Sequence, residues 1–235
     1  MGERREKTTS DQAELRDALL DAALMHVVFD GWTPATWEAA LNDSEVDRTL
    51  AEAVFPRHAL DLAIAYHLRG DAEMEARLSA ANLAEVRFRD RVAMAVRFRL
   101  EAVDKEAVRR GATLFALPQN AAEGSKLIWG TADAIWTALG DTSQDVNWYT
   151  KRATLSAVYS STVLFWLGDD SAEHQATWEF LDRRIDNVMQ FEKLKASVNQ
   201  NPLLKPLLAG PSWLLDQIKA PAQRDDLPGR WSPRD

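Results

Sequence analysis

The sequence predicts an all-α protein, and three observations carry the prediction. Apolar residues recur at spacings of three and four in one segment after another, as on a single face of an α-helix. No stretch alternates apolar and polar residues over the length of a strand. Residues 153–167 carry no charge and follow a polar start containing Asp141, Thr142, Ser143 and Asp145, side chains that cap helices. At 1.5 Å per residue this run rises roughly 22 Å, short of the ~20 residues a bilayer core requires. Gly168-Asp169-Asp170 then stops it. The expectation is a core helix buried on most sides, not a membrane span.

The first helix is expected from about Ser10, with Leu15, Ala18, Leu19, Ala22, Ala23 and His26 on one face and Gly31 just past its end. His26 reads as a packed core residue. Residues 1–9 are charged and expected to be mobile, without the apolar core of a secretory signal. A short helix with Trp37, Ala40 and Leu41 follows, then a turn at Asn42-Asp43-Ser44, another short helix, and Phe55-Pro56-Arg57 leading into a helix from His58. This segment resembles the DNA-binding head of TetR-type repressors. Its charge disagrees: between Trp37 and His58 stand Glu38, Asp43, Glu45, Asp47 and Glu52 against Arg48 and Arg57, a net −3 where phosphates would have to be met. A retained fold without DNA binding is expected.

Gly70-Asp71 reads as the opening of a second part, and residues 72–100 as one helix with Met74, Leu78, Leu83, Val86, Val92 and Met94 inward. The charges Arg87, Arg89, Asp90, Arg91, Arg97 and Arg99 read as its solvated face. Helices over 105–117 and 121–139 follow, separated by Pro118-Gln119-Asn120; the second carries Leu127, Ile128, Ile135, Trp136 and Leu139 and ends at Gly140. In the uncharged helix, Ala153, Ala157, Ser160 and Ser161 form a small-residue face, and Leu155, Tyr159, Thr162 and Trp166 a large one. The small face admits either another helix backbone or a long apolar ligand, for which Val158, Phe165 and Trp166 would be further lining. The last long helix is expected over 172–194, with Trp178, Leu181, Ile185, Val188 and Met189 inward.

The end of the chain differs in kind. Residues 202–218 hold eight large apolar residues interrupted by Pro206 and Pro211. Leu204, Leu207, Leu208, Leu214, Leu215 and Ile218 can share a face, with Lys205 and Lys219 at the rim and Trp213 at headgroup depth, as in a helix lying on a membrane. Docking on the protein's own core or on a second subunit is the alternative. Residues 221–235, with three prolines, read as a disordered tail.

Composition bounds the function. With 235 residues, 46% hydrophobic and 27% charged, the chain can build one substantial core or a small module fused to a larger one. The absence of cysteine excludes disulfides and thiolate chemistry, and His26, His58, His67 and His174 are not spaced as a ligand pair. A net charge of −8 argues against a nucleic-acid binder. No P-loop, G-x-S-x-G or G-x-G-x-x-G motif is present, so no catalytic residue and no metal site is expected.

The segment Asp145-x-Asn147-Trp148-Tyr149-Thr150-Lys151-Arg152-Ala153 resembles the signature of a family of ubiquinone-biosynthesis accessory proteins, the ninth member of the coenzyme Q set. The resemblance extends from Leu15 to about Gln190, through Ala132-Asp133-Ala134-Ile135-Trp136 and Thr177-Trp178-Glu179-Phe180-Leu181-Asp182-x-Arg184. It implies a TetR-repressor-like helical bundle with a degenerate helix-turn-helix head at 10–68, a lipid-binding and dimerisation domain at 71–195, and an amphipathic membrane-associating segment at 199–220. It also implies a non-enzymatic homodimer without cofactor, peripheral on the inner membrane from the cytoplasmic side. Such a protein would bind an isoprenoid lipid or quinone precursor and present it to a quinone-pathway hydroxylase of the di-iron demethoxyubiquinone type. In that family the residues matching Ile135, Asp145, Trp148, Tyr149 and Arg152 dock the hydroxylase. A TetR-type ligand-sensing regulator is the alternative.

Overall fold

The computed structural model describes the backbone of residues 2–200 and the side chains of residues 12–190. The apolar segment with Leu204, Leu207, Leu208, Trp213, Leu214, Leu215 and Ile218, and the tail at 221–235, lie outside the described residues. The order is α1 (Gly2–Asp30), α2 (Pro34–Ser44), α3 (Arg48–Val54), α4 (Ala59–Ala80), α5 (Phe88–Glu101), α6 (Lys105–Phe115), α7 (Ala121–Ala138) and α8 (Val146–Leu167), then a 3-10 turn (Ala172–His174) and α9 (Gln175–Gln200). No strand occurs among the described residues. Side-chain caps set several starts: Asp47 accepts from the Thr49 and Leu50 amides at 2.9 and 3.2 Å, Asp104 from Ala107 at 2.8 Å, and Asp145 from Asn147 at 3.0 Å. Gly31 ends α1 at φ 69°, a left-handed conformation that a side chain would strain.

Two cores form. The head packs Leu19, Leu20, Ala23 and Val27 of α1 against Trp37, Ala51, Phe55 and Leu62. The body packs Met74 and Leu78 of α4 against Val96, Leu100, Ala132, Ile135, Leu155, Tyr159, Leu181 and Ile185. α4 belongs to both, so it is the beam that joins them. The head is also pinned where the Trp32 indole donates to the Ala107 carbonyl at 3.1 Å and the Asp104 amide to the Tyr66 hydroxyl at 2.6 Å.

Several expectations are corrected. α1 begins at Gly2 rather than near Ser10, and His26 is half-buried with its Nε2 2.6 Å from an Asp43 carboxylate oxygen, not packed in the core. α4 runs straight through Gly70-Asp71, because Gly70 does not break the helix but lets another side chain lie on it: a Cβ there would stand 2.6 Å from Nη1 of Arg99. Residues 72–100 are not one helix; α4 stops at Ala80, the Asn82 side chain accepts from the Ala84 amide at 3.3 Å, and α5 starts at Phe88. Arg99, expected on the solvated face, is 2% exposed. Nor is the uncharged helix buried on most sides: Ala153, Ala157, Leu164 and Phe165 of α8 are exposed.

Candidate functional site

The segment 145–153, which resembles a family signature, sits at the start of α8, where the chain reverses after α7. Arg152 is the hub. Its Nε donates to Asp133 at 2.5 Å, and its Nη1 to Asp141 at 2.9 Å and to the Trp148 carbonyl at 3.2 Å. Its guanidinium lies 4.0 Å from the Trp148 ring centroid, a cation–π contact. Lys151 and Ser143 also donate to Asp141, at 2.7 and 2.8 Å. Burial pushes the Asp141 carboxyl up, but the hydrogen bonds from Lys151, Ser143 and Arg152 outweigh it and hold this carboxyl well below the usual carboxylate range. This charged staple ties α7, the connecting loop and α8 together.

Outside the staple lies an aromatic cluster. Trp148 and Tyr149 meet edge to face at 4.8 Å, and Trp129 of α7 stands 6.0 Å from Trp148 and 6.4 Å from Tyr149. All three rings are half-buried, and Asp145 beside them is exposed. Of the five residues expected to meet a partner, Asp145, Trp148 and Tyr149 reach the surface. Ile135 is fully buried in the body core, and only 2% of Arg152 is exposed, so neither can present a contact area. Ile135 faces inward because α7 uses that stripe to pack on α8, and Arg152 because its charge is neutralised inside. Trp129 was missed from the sequence. The signal was its spacing: Trp129 and Asp133 stand four apart on α7, as Trp148 and Arg152 do on α8.

The second feature is a cavity of about 370 Å³ among α4, α6, α7 and α8. Its lining is mainly apolar, including Trp32, Val108, Phe115, Ile128 and Val163, with Tyr66, His67, Arg99, Ser125, Tyr159 and Ser160 as polar exceptions. Of the residues expected along a ligand slot, Ser160 lines this cavity. Val158 faces a separate groove of about 250 Å³ with Phe88, Trp136 and Met189. Ala157 is exposed, the hydroxyl of Ser161 donates to the Val158 carbonyl at 3.0 Å, and Phe165 stacks on Phe180 at 4.5 Å. Trp166 is packed in the body core. None of these last four lines the cavity, because the α8 face turned toward it is that of Tyr159, Ser160, Val163 and Leu164.

The head keeps its acidic character in three dimensions. Arg48 is bound by Glu38 at 2.5 Å and Glu52 at 3.7 Å, and Arg57 by Asp61 at 2.7 Å and Glu123 at 3.6 Å. Both arginines of the 37–58 segment are thus neutralised within the protein. Among the described residues no group of His, Asp and Glu side chains is arranged to hold a metal ion, and no helix is long and apolar enough to cross a membrane.

Residues 121–192, from α7 into α9, match the model of the COQ9 family. The ubiquinone biosynthesis protein COQ9, mitochondrial, of Rattus norvegicus is 30% identical over 197 residues, covering 80% of this chain and 62% of that protein. The human protein of the same name is 30% identical over 80% of this chain and 61% of its own length. The probable ubiquinone biosynthesis protein coq9, mitochondrial, of Dictyostelium discoideum is 28% identical over 80% of this chain and 64% of its own. The chain therefore spans less than two thirds of the length of these curated relatives. Among solved structures, a TetR transcriptional regulator from Nitrosomonas europaea superposes with a TM-score of 0.61 at 19% identity, over 73% of this chain and 96% of that one. That likeness shows the fold: an all-α, TetR-like bundle.

Proposed function

We propose, from the match of residues 121–192 to the COQ9 family model and the similarity to COQ9 proteins over 80% of this chain, that it is a non-enzymatic accessory protein of ubiquinone biosynthesis. It holds an isoprenoid quinone precursor in the cavity among α4, α6, α7 and α8 and presents it to a quinone-pathway hydroxylase of the di-iron demethoxyubiquinone type. The observation that carries the reading is that cavity: about 370 Å³, lined mainly by hydrocarbon with a few polar groups, within the size range of small-ligand sites. The protein needs no cofactor of its own in this role. Trp148, Tyr149 and Trp129, large half-buried rings with an exposed carboxylate at Asp145, have the composition of a docking hot spot for the hydroxylase.

Mass spectrometry of organic extracts from the purified protein tests the ligand. A polyisoprenoid quinone precursor is expected at near-stoichiometric yield. Ser160→Leu, on the cavity wall, should empty the extract, while Ala157→Leu, on the exposed face, should leave it unchanged. Extracts holding only bulk membrane phospholipid would refute the reading.

The apolar segment at 202–218 is proposed as the membrane contact. Deleting residues 202–220 should abolish flotation of the protein with anionic vesicles and preserve its far-UV helicity. Persistent flotation would place the membrane contact elsewhere.

A ligand-sensing regulator is the second reading, and the TetR-like fold favours it. The charge of the head opposes it, since both arginines of the 37–58 segment are already bound by carboxylates. The full chain should show no salt-dependent shift of random duplex DNA; a steep salt slope would reverse the ranking.

A further inference from the structure

The cavity wall contains a buried polar knot that hydrocarbon binding alone does not call for. Arg99 donates through Nε to Asp71 at 2.6 Å and through Nη2 to the His67 carbonyl at 2.9 Å. Thr131 lies 2.9 Å from the same Asp71 oxygen and 2.8 Å from Nε2 of His67. Asp71, Arg99, Thr131 and Tyr159 are all less than 10% exposed. Replacing a buried ion pair by well-packed hydrocarbon is commonly neutral or stabilising, so a purely apolar wall was open to this fold.

Proton accounting shows what the knot offers. The Thr131 hydroxyl has two neighbours that can only accept, the Asp71 carboxylate at 2.9 Å and the Leu127 carbonyl at 3.2 Å, so its single proton goes to one of them. The Thr131 oxygen must then accept from His67, which puts the imidazole proton on Nε2 and leaves Nδ1 with a lone pair. Burial, then the charge of Arg99, depresses the His67 pKa to about 4, so the ring is neutral at pH 7. The Tyr66 hydroxyl accepts from the Asp104 amide at 2.6 Å and keeps its own proton to donate. Burial raises its pKa, so that proton stays on. Two consecutive residues of α4 on the cavity wall thus supply one acceptor and one donor. Arg99 and Asp71 cancel in charge, so the wall has no net attraction for an anion.

We propose that Tyr66 and His67, backed by the Arg99–Asp71 pair, form a head-recognition subsite in this cavity. Its ligand is an amphipathic molecule whose head is neutral and carries both a hydroxyl and a carbonyl or ether oxygen. The proposal rests on the reading of the cavity as a ligand site and adds a direction to it: the polar head lies against α4 and the tail along the apolar wall of Phe115, Ile128 and Val163. His67 Nδ1 accepts from the hydroxyl, and Tyr66 donates to the second oxygen. A plain hydrocarbon leaves both groups unpaired, and a carboxylate brings a charge with no counter-charge.

Four probes with a similar tail separate the possibilities in titrations of the full chain followed by calorimetry at pH 7: nonylbenzene, 4-nonylphenol, decanophenone and decanoate. The phenol and the ketone should each bind at least about tenfold more tightly than nonylbenzene, one hydrogen bond apiece, and decanoate should bind more weakly than either. His67→Phe should erase the advantage of the phenol and Tyr66→Phe that of the ketone, both leaving nonylbenzene unchanged. Equal affinities for phenol, ketone and hydrocarbon, or tightest binding of decanoate, would overturn the subsite and leave the cavity reading standing. Failure of all four to bind would remove the cavity reading itself. The comparison among probes on the unaltered chain decides the matter even if a variant fails to fold.

Discussion

Arg152→Ala is expected to cost about 3–5 kcal/mol of stability, the range for removing one partner of a buried charge pair. The Arg152 and Asp141 side chains are 3% and 2% exposed, so the loss leaves Asp141 facing the interior with Lys151 as its remaining cation. Asp133 and the Trp148 carbonyl lose a donor as well, and Trp148 loses the guanidinium beneath its ring. For a chain of this size the melting temperature should fall by roughly 10 °C. Trp148→Ala is the informative contrast. Its ring is half-buried and rests on the staple without being part of it, so the melting temperature should fall much less while pull-down of the proposed hydroxylase partner is lost. A drop for Trp148→Ala as large as for Arg152→Ala, with pull-down lost in proportion to folded protein, would make the aromatic cluster purely structural.

Asp71→Ala should be comparably damaging, because Arg99 would keep its charge in the interior with no carboxylate to meet it. The same knot makes stability depend on pH through His67. The ring is enclosed by Asp71 and Tyr66 of α4, Arg99 of α5, Thr131 of α7 and Tyr159 of α8, and its folded pKa of about 4 lies below the ordinary histidine value of about 6.5. A depressed histidine favours the neutral form in the folded state. Its contribution is therefore fully present above about pH 6.5 and is lost as the pH falls toward 4, since the unfolded chain takes up the proton first. Between pH 7 and pH 5 this amounts to about 2 kcal/mol. Urea unfolding of the unaltered chain and of His67→Gln at both pH values measures it: the difference between the two slopes of stability against pH should be close to that figure. Parallel slopes would mean that His67 titrates freely and is not buried in the knot.

The aromatic cluster and the cavity differed in how legible they were. Trp148 and Tyr149 announced themselves because the helix start, the cap at Asp145 and the three- and four-residue spacings are local features. The ligand wall did not. The sequence pointed to small residues on α8, since a small face permits close approach, yet Ala157 is exposed and only Ser160 of that face lines the cavity. Periodicity defines the stripes of a helix but not which neighbour each stripe meets, and that choice set which residues line the cavity.

The sequence by itself determined the all-α class, the helix ends near Gly31, Gly140 and Gly168, the cap at Asp145 and the acidic head. Each follows from interactions between residues a turn or less apart or from charge simply counted. Only the tertiary structure decided the meaning of Gly70-Asp71, which reads locally as the opening of a second part and is in fact mid-helix. Gly70 gives room to the Arg99 guanidinium and Asp71 neutralises it, across 28 residues of sequence. It likewise decided that Arg99 is inside and Arg152 is a staple, that Ile135 is core, and that His67 meets Thr131 across 64 residues. A buried charge survives only beside its partner, and that partner is supplied by the packing of distant helices, which no local pattern encodes.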